Sequence, residues 1–274
     1  TYHVTADVTD IAGETRSDDI RVSAGYVDVE ATLDVPDWQT ADNGNPASVR
    51  IGISTRSLDA APRGVSGTLR INRLVQPKRV ARGDLMNSRV PYDILRKRNG
   101  RGLRVPPVPQ DDDPKTWAEG EEIFSTEVVT DVSSGLGQAA VPLDVGIYRA
   151  TFIIPATSEC PEVMATRLIE VIEMTAKHYE IKQPFVLRVE KSSVEVAGKV
   201  RAIVGTGYKQ GVSLVEVVKS GRVLKRYWTK KTRTQTPILF KVEDAHRGGI
   251  TLRAWMVREG RLHYETHRVD VPWT

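Results

Sequence analysis

Along most of this chain apolar and polar residues alternate one for one. Tyr2, Val4, Ala6 and Val8 alternate with His3, Thr5 and Asp7, and after turn chemistry at Asp10-Ile-Ala-Gly13 the pattern resumes at Ile20, Val22 and Ala24. Period two sends successive side chains to opposite faces of a strand, so this stretch predicts an antiparallel hairpin. Two strands do not stabilise themselves in water. Residues 1–25 therefore read as the closing strands of a module whose earlier strands lie outside this sequence, and the chain as an internal piece of a longer protein.

A second alternation runs from Val27, with Val29, Ala31, Leu33 and Val35 facing one way, until Pro36-Asp37 ends it. Val49, Ile51 and Ile53 mark the next strand, Leu69 and Ile71 another. After a long interruption come Ile123 to Val129, Gln138 to Val141, Tyr148 to Ile154 and Met164 to Ile172. The last stretch also fits a turn or two of helix; the strand reading is preferred because it follows the turn residues Ser158-Glu159-Cys160-Pro161. These strands define a sandwich over 26–174.

The third pattern fills 180–273. Phe185, Leu187 and Val189 form one face, Val200, Ala202 and Val204 another, and Pro237 to Val242, Ile250 to Val257 and Leu262 to Val271 follow. Between Leu214 and Trp228 a hairpin turns at Ser220-Gly221, which sets Val218 against Val223, Val217 against Leu224 and Glu216 against Lys225. Seven strands over this span predict a sandwich of immunoglobulin or fibronectin III type, with a barrel as the alternative. The fold class is all-β: tandem antiparallel β-sandwich modules.

From Gln76 to Glu119 the alternation stops. Lys78, Arg79, Arg82, Arg89, Arg96, Lys97, Arg98, Arg101 and Arg104 crowd the first part, Pro106-Pro107-Val108-Pro109 stiffens the middle and Asp111-Asp112-Asp113 closes the run. Leu85 to Leu95 has short-helix character, broken by Pro91. This basic insertion at 76–119 predicts an exposed inter-module loop. Lys78, Arg79, Arg82, Arg96, Lys97, Arg98, Arg101 and Arg104 are its candidate contact surface for anionic groups.

Composition narrows the classes. A 40% hydrophobic content across 274 residues excludes whole-chain disorder, and no run of about 18 apolar residues exists to span a bilayer as a helix. Net charge is only +4, weak support for a polyanionic partner. The single cysteine, Cys160, has no second cysteine to bond, so the cores must supply the stability.

Catalytic chemistry finds little foothold. His263 and His267 bracket Glu265, but residues four apart in a strand are separated by roughly 13 Å, too far to share one metal. No Ser, His and Asp set sits in a nucleophile elbow, and Ser134-Gly-Leu-Gly137 reads as a turn because no helix pattern follows it. Tyr227, Trp228, Trp255 and Tyr264 offer an aromatic surface for glycans or single-stranded nucleic acid, but read first as core or sheet-face packing. No enzyme activity, cofactor or metal is expected.

Several segments together resemble bacterial members of the alpha-2-macroglobulin family. They are Thr5-Ala-Asp-Val-Thr-Asp-Ile-Ala-Gly-Glu-Thr15, Asp112-Asp-Pro-Lys-Thr-Trp117, Gly146-Ile-Tyr148-Arg-Ala150, Lys191-Ser-Ser-Val-Glu-Val-Ala-Gly198, Arg247-Gly-Gly-Ile250, Gly260-Arg-Leu-His-Tyr-Glu-Thr266 and Val269-Asp-Val-Pro-Trp273. The resemblance implies macroglobulin-like modules of an extracytoplasmic inhibitor that traps proteases after bait cleavage, often by a thioester made from Cys-Gly-Glu-Gln. That tetrapeptide is absent here: Cys160 precedes Pro161-Glu162. The implied partners are proteases, met through the full-length parent, and neighbouring modules. Nucleic acid is not implied, and membrane anchoring would come only through parts outside this sequence. Sandwiches moving about linkers such as Thr175 to Gln183 would supply the mechanics. The alternative is an adhesion or ligand-binding array of immunoglobulin-like modules.

Overall fold

A computed structural model describes residues 2–22, 25, 27–42, 44–80, 112–158, 160–259 and 261–273. The described chain is all-β, with seventeen strands in five sheets and two short 3-10 turns. Strands β1 (Tyr2–Thr9) and β2 (Thr15–Val22) pair antiparallel from Tyr2↔Val22 to Thr9↔Thr15, the hairpin predicted from alternation. Every residue of β1 is exposed.

The first sandwich packs a three-stranded sheet on a five-stranded one. The three-stranded sheet is ordered β3 (Val29–Asp34), β5 (Ala47–Ser57), β8 (Leu136–Leu143). The other is ordered β4 (Trp38–Ala41), β10 (Val163–Glu173), β9 (Gly146–Ile154), β6 (Ser66–Leu74), β7 (Glu119–Val129). Alternate residues meet in the core between them: Val49, Ile51 and Ile53 from β5 oppose Leu69 and Ile71 from β6, Tyr148, Ala150 and Phe152 from β9, and Ile169 and Val171 from β10. Residues 163–173 are strand, as preferred over helix. Strand β4 was not anticipated. It runs parallel to β10 and has only four residues after Pro36, too few to declare a period.

The second sandwich has the seven expected strands. One sheet is ordered β11 (Val186–Val189), β12 (Lys199–Gly205), β15 (Gln235–Lys241). The other is ordered β14 (Arg222–Trp228), β13 (Ser213–Lys219), β16 (Ile250–Arg258), β17 (Arg261–Val269). Ser220 and Gly221 both take positive φ, 45° and 80°, as a two-residue hairpin turn requires. The expected register holds only next to that turn. A bulge between Val217 and Val218 leaves Val218 opposite Val223 but moves Val217 to Lys225 and Glu216 to Arg226. The charge pair is therefore Glu216–Arg226, at 2.5 Å.

The segment from Met174 to Phe185 departs from the linker reading. Tyr179 and Ile181 are buried, and with Met174, Ile172, Ile147 and Leu74 from the first sandwich and Val186 and Ile203 from the second they form a third apolar cluster. A linker about which modules swing would be exposed and sparsely bonded; this one is the centre of a joint. The described ends of the insertion are likewise built in. Val80 joins the core of the second sandwich, and Trp117, after a 3-10 turn at Pro114–Thr116 capped by Asp113, joins the joint. The expectation that charge and prolines keep the insertion unburied fails at both ends.

Candidate functional site

The joint carries a network of buried and half-buried charged groups. Glu170 lies on the β10 face turned away from the first core, with Leu168 and Ile172, and is 4% exposed. Its Oε1 accepts a short hydrogen bond from the Tyr179 hydroxyl, and its Oε2 accepts one from Arg188 Nε at 2.8 Å. Arg188, on β11, also lies 3.6 Å from Glu265 Oε2, which accepts the Leu187 backbone N–H at 2.9 Å. One carboxylate from the first sandwich, one guanidinium and one carboxylate from the second, and a tyrosine from the connection thus share a single network.

Electrostatics follow from that geometry. Burial, then the neighbouring Glu170 carboxylate, pushes the Tyr179 phenol well above its ordinary range, so it stays a donor. Burial works against the Arg188 charge, but Glu170, Tyr179 and Glu265 outweigh it and hold the guanidinium ionised. Burial raises Glu265, with its backbone bond and Arg188 pulling the other way. Around this network the connection is fixed by side-chain bonds: Lys182 N donates to Gln76 Oε1 at 2.9 Å, Tyr179 N to Thr234 Oγ1 at 3.0 Å, and Gln235 Nε2 to the Glu173 carbonyl at 2.6 Å.

A groove of about 1050 Å³ opens from the joint over the outer face of the five-stranded sheet. Most of its charges are paired: Arg149 with Glu119 at 3.1 Å, Arg167 with Asp37 at 2.9 Å, and Arg188 with Glu170. Arg149 also donates to the carbonyls of Lys115 and Trp117, which ties the end of the insertion to β9. The described residues lining this groove include no histidine, cysteine or serine. The arrangement suits holding two sheets at a fixed angle.

The residues singled out in the sequence fall as follows. Lys78 and Arg79 are exposed beside buried Val80; Arg82, Arg96, Lys97, Arg98, Arg101 and Arg104 lie outside the described residues, as does the Leu85–Leu95 stretch. His263 is not paired with His267. It stacks between Phe185 and Tyr208, at centroid distances of 6.3 and 6.1 Å, beside the Arg261–Asp112 ion pair at 2.9 Å. Burial, then the Arg261 charge, lowers its pKa.

The Ser134-Gly-Leu-Gly137 turn is organised by Asp131. Its carboxylate accepts bonds from Ser133 and Ser134, which hold its pKa at about 2. Gly135 is required there, since φ is +66° and a Cβ would stand 2.2 Å from the Thr55 carbonyl. Cys160 Sγ donates to Asp28 Oδ1 at 3.1 Å. Of the four aromatics, Tyr227 packs against the second core, Trp255 and Tyr264 stack on each other at 5.5 Å on the outer sheet face, and Trp228 is 65% exposed. Core packing fails for Trp228.

The segments that carry the family resemblance do structural work. Asp112 pairs with Arg261, and Trp117 fills the joint. Tyr148 is buried, and its hydroxyl donates to the Asp144 carbonyl at 3.0 Å, a tyrosine corner; burial raises its pKa. Gly248 N donates to the Val271 carbonyl at 2.8 Å, and Arg247 Nη1 to that of Pro272 at the same distance, fastening the end of the chain.

No family model and no curated protein matches the sequence. Among solved structures, the chain is similar to Escherichia coli alpha-2-macroglobulin activated by porcine elastase (10% identity, TM-score 0.29, 97% of this chain and 25% of that one). It is also similar to the native conformation of the same E. coli protein (11%, TM-score 0.31, 98% and 17%). A third likeness is to an ICAM-5 D1–D4 ectodomain fragment (13%, TM-score 0.24, 89% and 50%). The chain thus spans a quarter or less of the E. coli chains.

Proposed function

We propose that this chain is part of the structural module array of an alpha-2-macroglobulin-like protease inhibitor, acting outside the cytoplasm and trapping proteases after bait cleavage. In this reading residues 1–25 close one macroglobulin-like module, 26–174 form a second that carries the basic insertion, and 180–273 form a third. The observation that carries it is the joint. A trap must convert one cut into a large displacement, which requires parts that do not flex internally. The Glu170–Arg188–Tyr179 network and the third apolar cluster fix two sandwiches as one part. Motion then belongs at other junctions of the array, not at 175–183.

The sequence resemblance supports the same reading, because its residues serve the joint, the tyrosine corner and the terminal turn. The proteases are partners of the whole inhibitor, and the basic residues from Lys78 to Arg104 remain a proposed contact surface. The test is incubation of the chain with an active protease. Without the Cys-Gly-Glu-Gln thioester and without the rest of the array, it should form no covalent adduct, leave small-peptide hydrolysis unchanged and give no shielding from large substrates. Stoichiometric inhibition would instead point to a direct inhibitor.

A further inference from the structure

The sheet β14-β13-β16-β17 has one face in the second core; on its other face run rows of side chains, many of them left exposed by the described residues. Cross-strand register places Trp228, Leu214, Trp255 and Tyr264 side by side, one from each strand. Val257 and Leu262 pair in the next row of the same face. Trp228, Val257 and Leu262 are 65%, 72% and 66% exposed. Together these side chains make a contiguous apolar band, and contiguous exposed apolar surface marks interaction sites.

On the band's other side, two residues along each strand and so about 7 Å away, runs the row Arg226, Glu216, Arg253 and Thr266. Glu216 is buried between the two arginines, so cationic groups are what this row shows to solvent, and Arg253 Nε is buried with no hydrogen-bond partner. The bias extends over the whole sheet. Residues 213–228 and 250–269 hold eight Lys and Arg against three Glu, a surplus of five, from which the pairing of Arg261 with Asp112 and of Arg268 with Asp270 leaves three.

The geometry points to a docking surface for an acidic polypeptide, a partner protein that presents carboxylates about 7 Å from exposed aromatic or aliphatic side chains. The carboxylates meet the Arg226–Arg253 row and the apolar groups meet the Trp228–Tyr264 row. A second copy of this chain is disfavoured because it would bring two cationic sheets together. Polysaccharide or single-stranded nucleic acid is held mainly on π faces, which this band offers at Trp228, Trp255 and Tyr264 but not at Leu214, Val257 or Leu262. A bilayer takes up elements that sink some 5–10 Å below its surface, whereas this band lies flat beside a charged row.

The full 274-residue chain is titrated with four probes: the random copolymer of glutamate and tyrosine, polyglutamate, the random copolymer of lysine and tyrosine, and phosphatidylglycerol vesicles. Binding is read by the fluorescence anisotropy of a dye carried on each polymer and by co-sedimentation with the vesicles, so that the readout does not depend on any tryptophan of the chain. The Glu–Tyr copolymer should bind at least tenfold tighter than any other probe and weaken with added salt. Trp228→Ser combined with Tyr264→Ser should cost at least tenfold in that binding while leaving the thermal midpoint unchanged. If the pair lowers the midpoint, Trp228→Ser alone should still cost at least threefold. Four results overturn the assignment: no binding of the Glu–Tyr copolymer, equal binding of polyglutamate, preference for vesicles, or affinity indifferent to Trp228. A dimer in sedimentation velocity that the double substitution abolishes would overturn it in favour of a second copy.

Discussion

Arg188→Met separates a joint held by a specific buried network from two sandwiches that merely touch. Glu170 has a side chain 5% exposed and Arg188 one 23% exposed, bonded at 2.8 Å. Removing the guanidinium strands the carboxylate in the joint, and losing one partner of a buried pair costs about 3–5 kcal/mol. The lower end applies, because the Tyr179 hydroxyl still donates to Glu170 and the groove admits water on one side. About 3 kcal/mol corresponds to a fall in Tm of roughly 6–12 °C for a domain of 150–250 residues. Glu170→Gln keeps an acceptor for Tyr179 without the charge, so the double variant should recover to within about 1 kcal/mol of the parent. The assay is urea unfolding followed by far-UV circular dichroism and by tryptophan fluorescence, with Trp117 and Trp38 reporting from the joint. A loss under about 1 kcal/mol for Arg188→Met, or a double variant that loses the sum of the two singles, would refute the reasoning.

Four further outcomes are expected. Trp117→Ala should cost about 3–5 kcal/mol by emptying the joint, and in the parent trypsin should cut first between Lys78 and Arg104 yet leave two fragments that co-elute, held by Val80, Trp117 and the Asp112–Arg261 pair; separation of the nicked fragments under native conditions would contradict this. The His263 pKa is lowered from 6.5 in the folded chain, so its contribution to stability is complete above pH 6.5 and is lost as pH falls through the lowered value; denaturation between pH 7.5 and 5.5 should show this slope reduced in His263→Phe, and an identical slope in the variant would exclude it. Residues 180–274 expressed alone should fold, since they hold seven strands, but unfold at a lower urea concentration than the whole chain because Ile181, Val186 and Ile203 lose their cover; an equal midpoint would mean the joint adds nothing.

The strands were legible because half-buried strands write their period into the sequence: Val49, Ile51 and Ile53 alternate with Arg50 and Gly52, and all three are buried. Where structure leaves no period, the reading slipped. The bulge at Val217/Val218 shifted the hairpin partners by one beyond the turn, and four-residue β4 passed unseen. The joint was the larger omission. Glu170, Tyr179, Arg188 and Glu265 lie far apart in sequence, and only the folded sheets bring them together. One signal was present: Tyr179 and Ile181 are apolar residues in a stretch read as a linker, and Trp117 follows an acidic run where solvation alone would not call for an indole. Three aromatics of the outer row, Trp228, Trp255 and Tyr264, were visible in the sequence, but their exposure depends on which face of β14 and β16 meets the core.

The central claim is that the two sandwiches form one rigid part. Electron–electron distance measurement tests it directly, with spin labels on Glu127→Cys in β7 and Arg222→Cys at the start of β14, both exposed, and Cys160→Ser to leave only those two thiols. A single narrow distance distribution, unchanged between low and high salt but broadened by Arg188→Met, is the predicted result. A broad or two-peaked distribution in the parent chain would show that the sandwiches swing about 175–183, and would contradict the account.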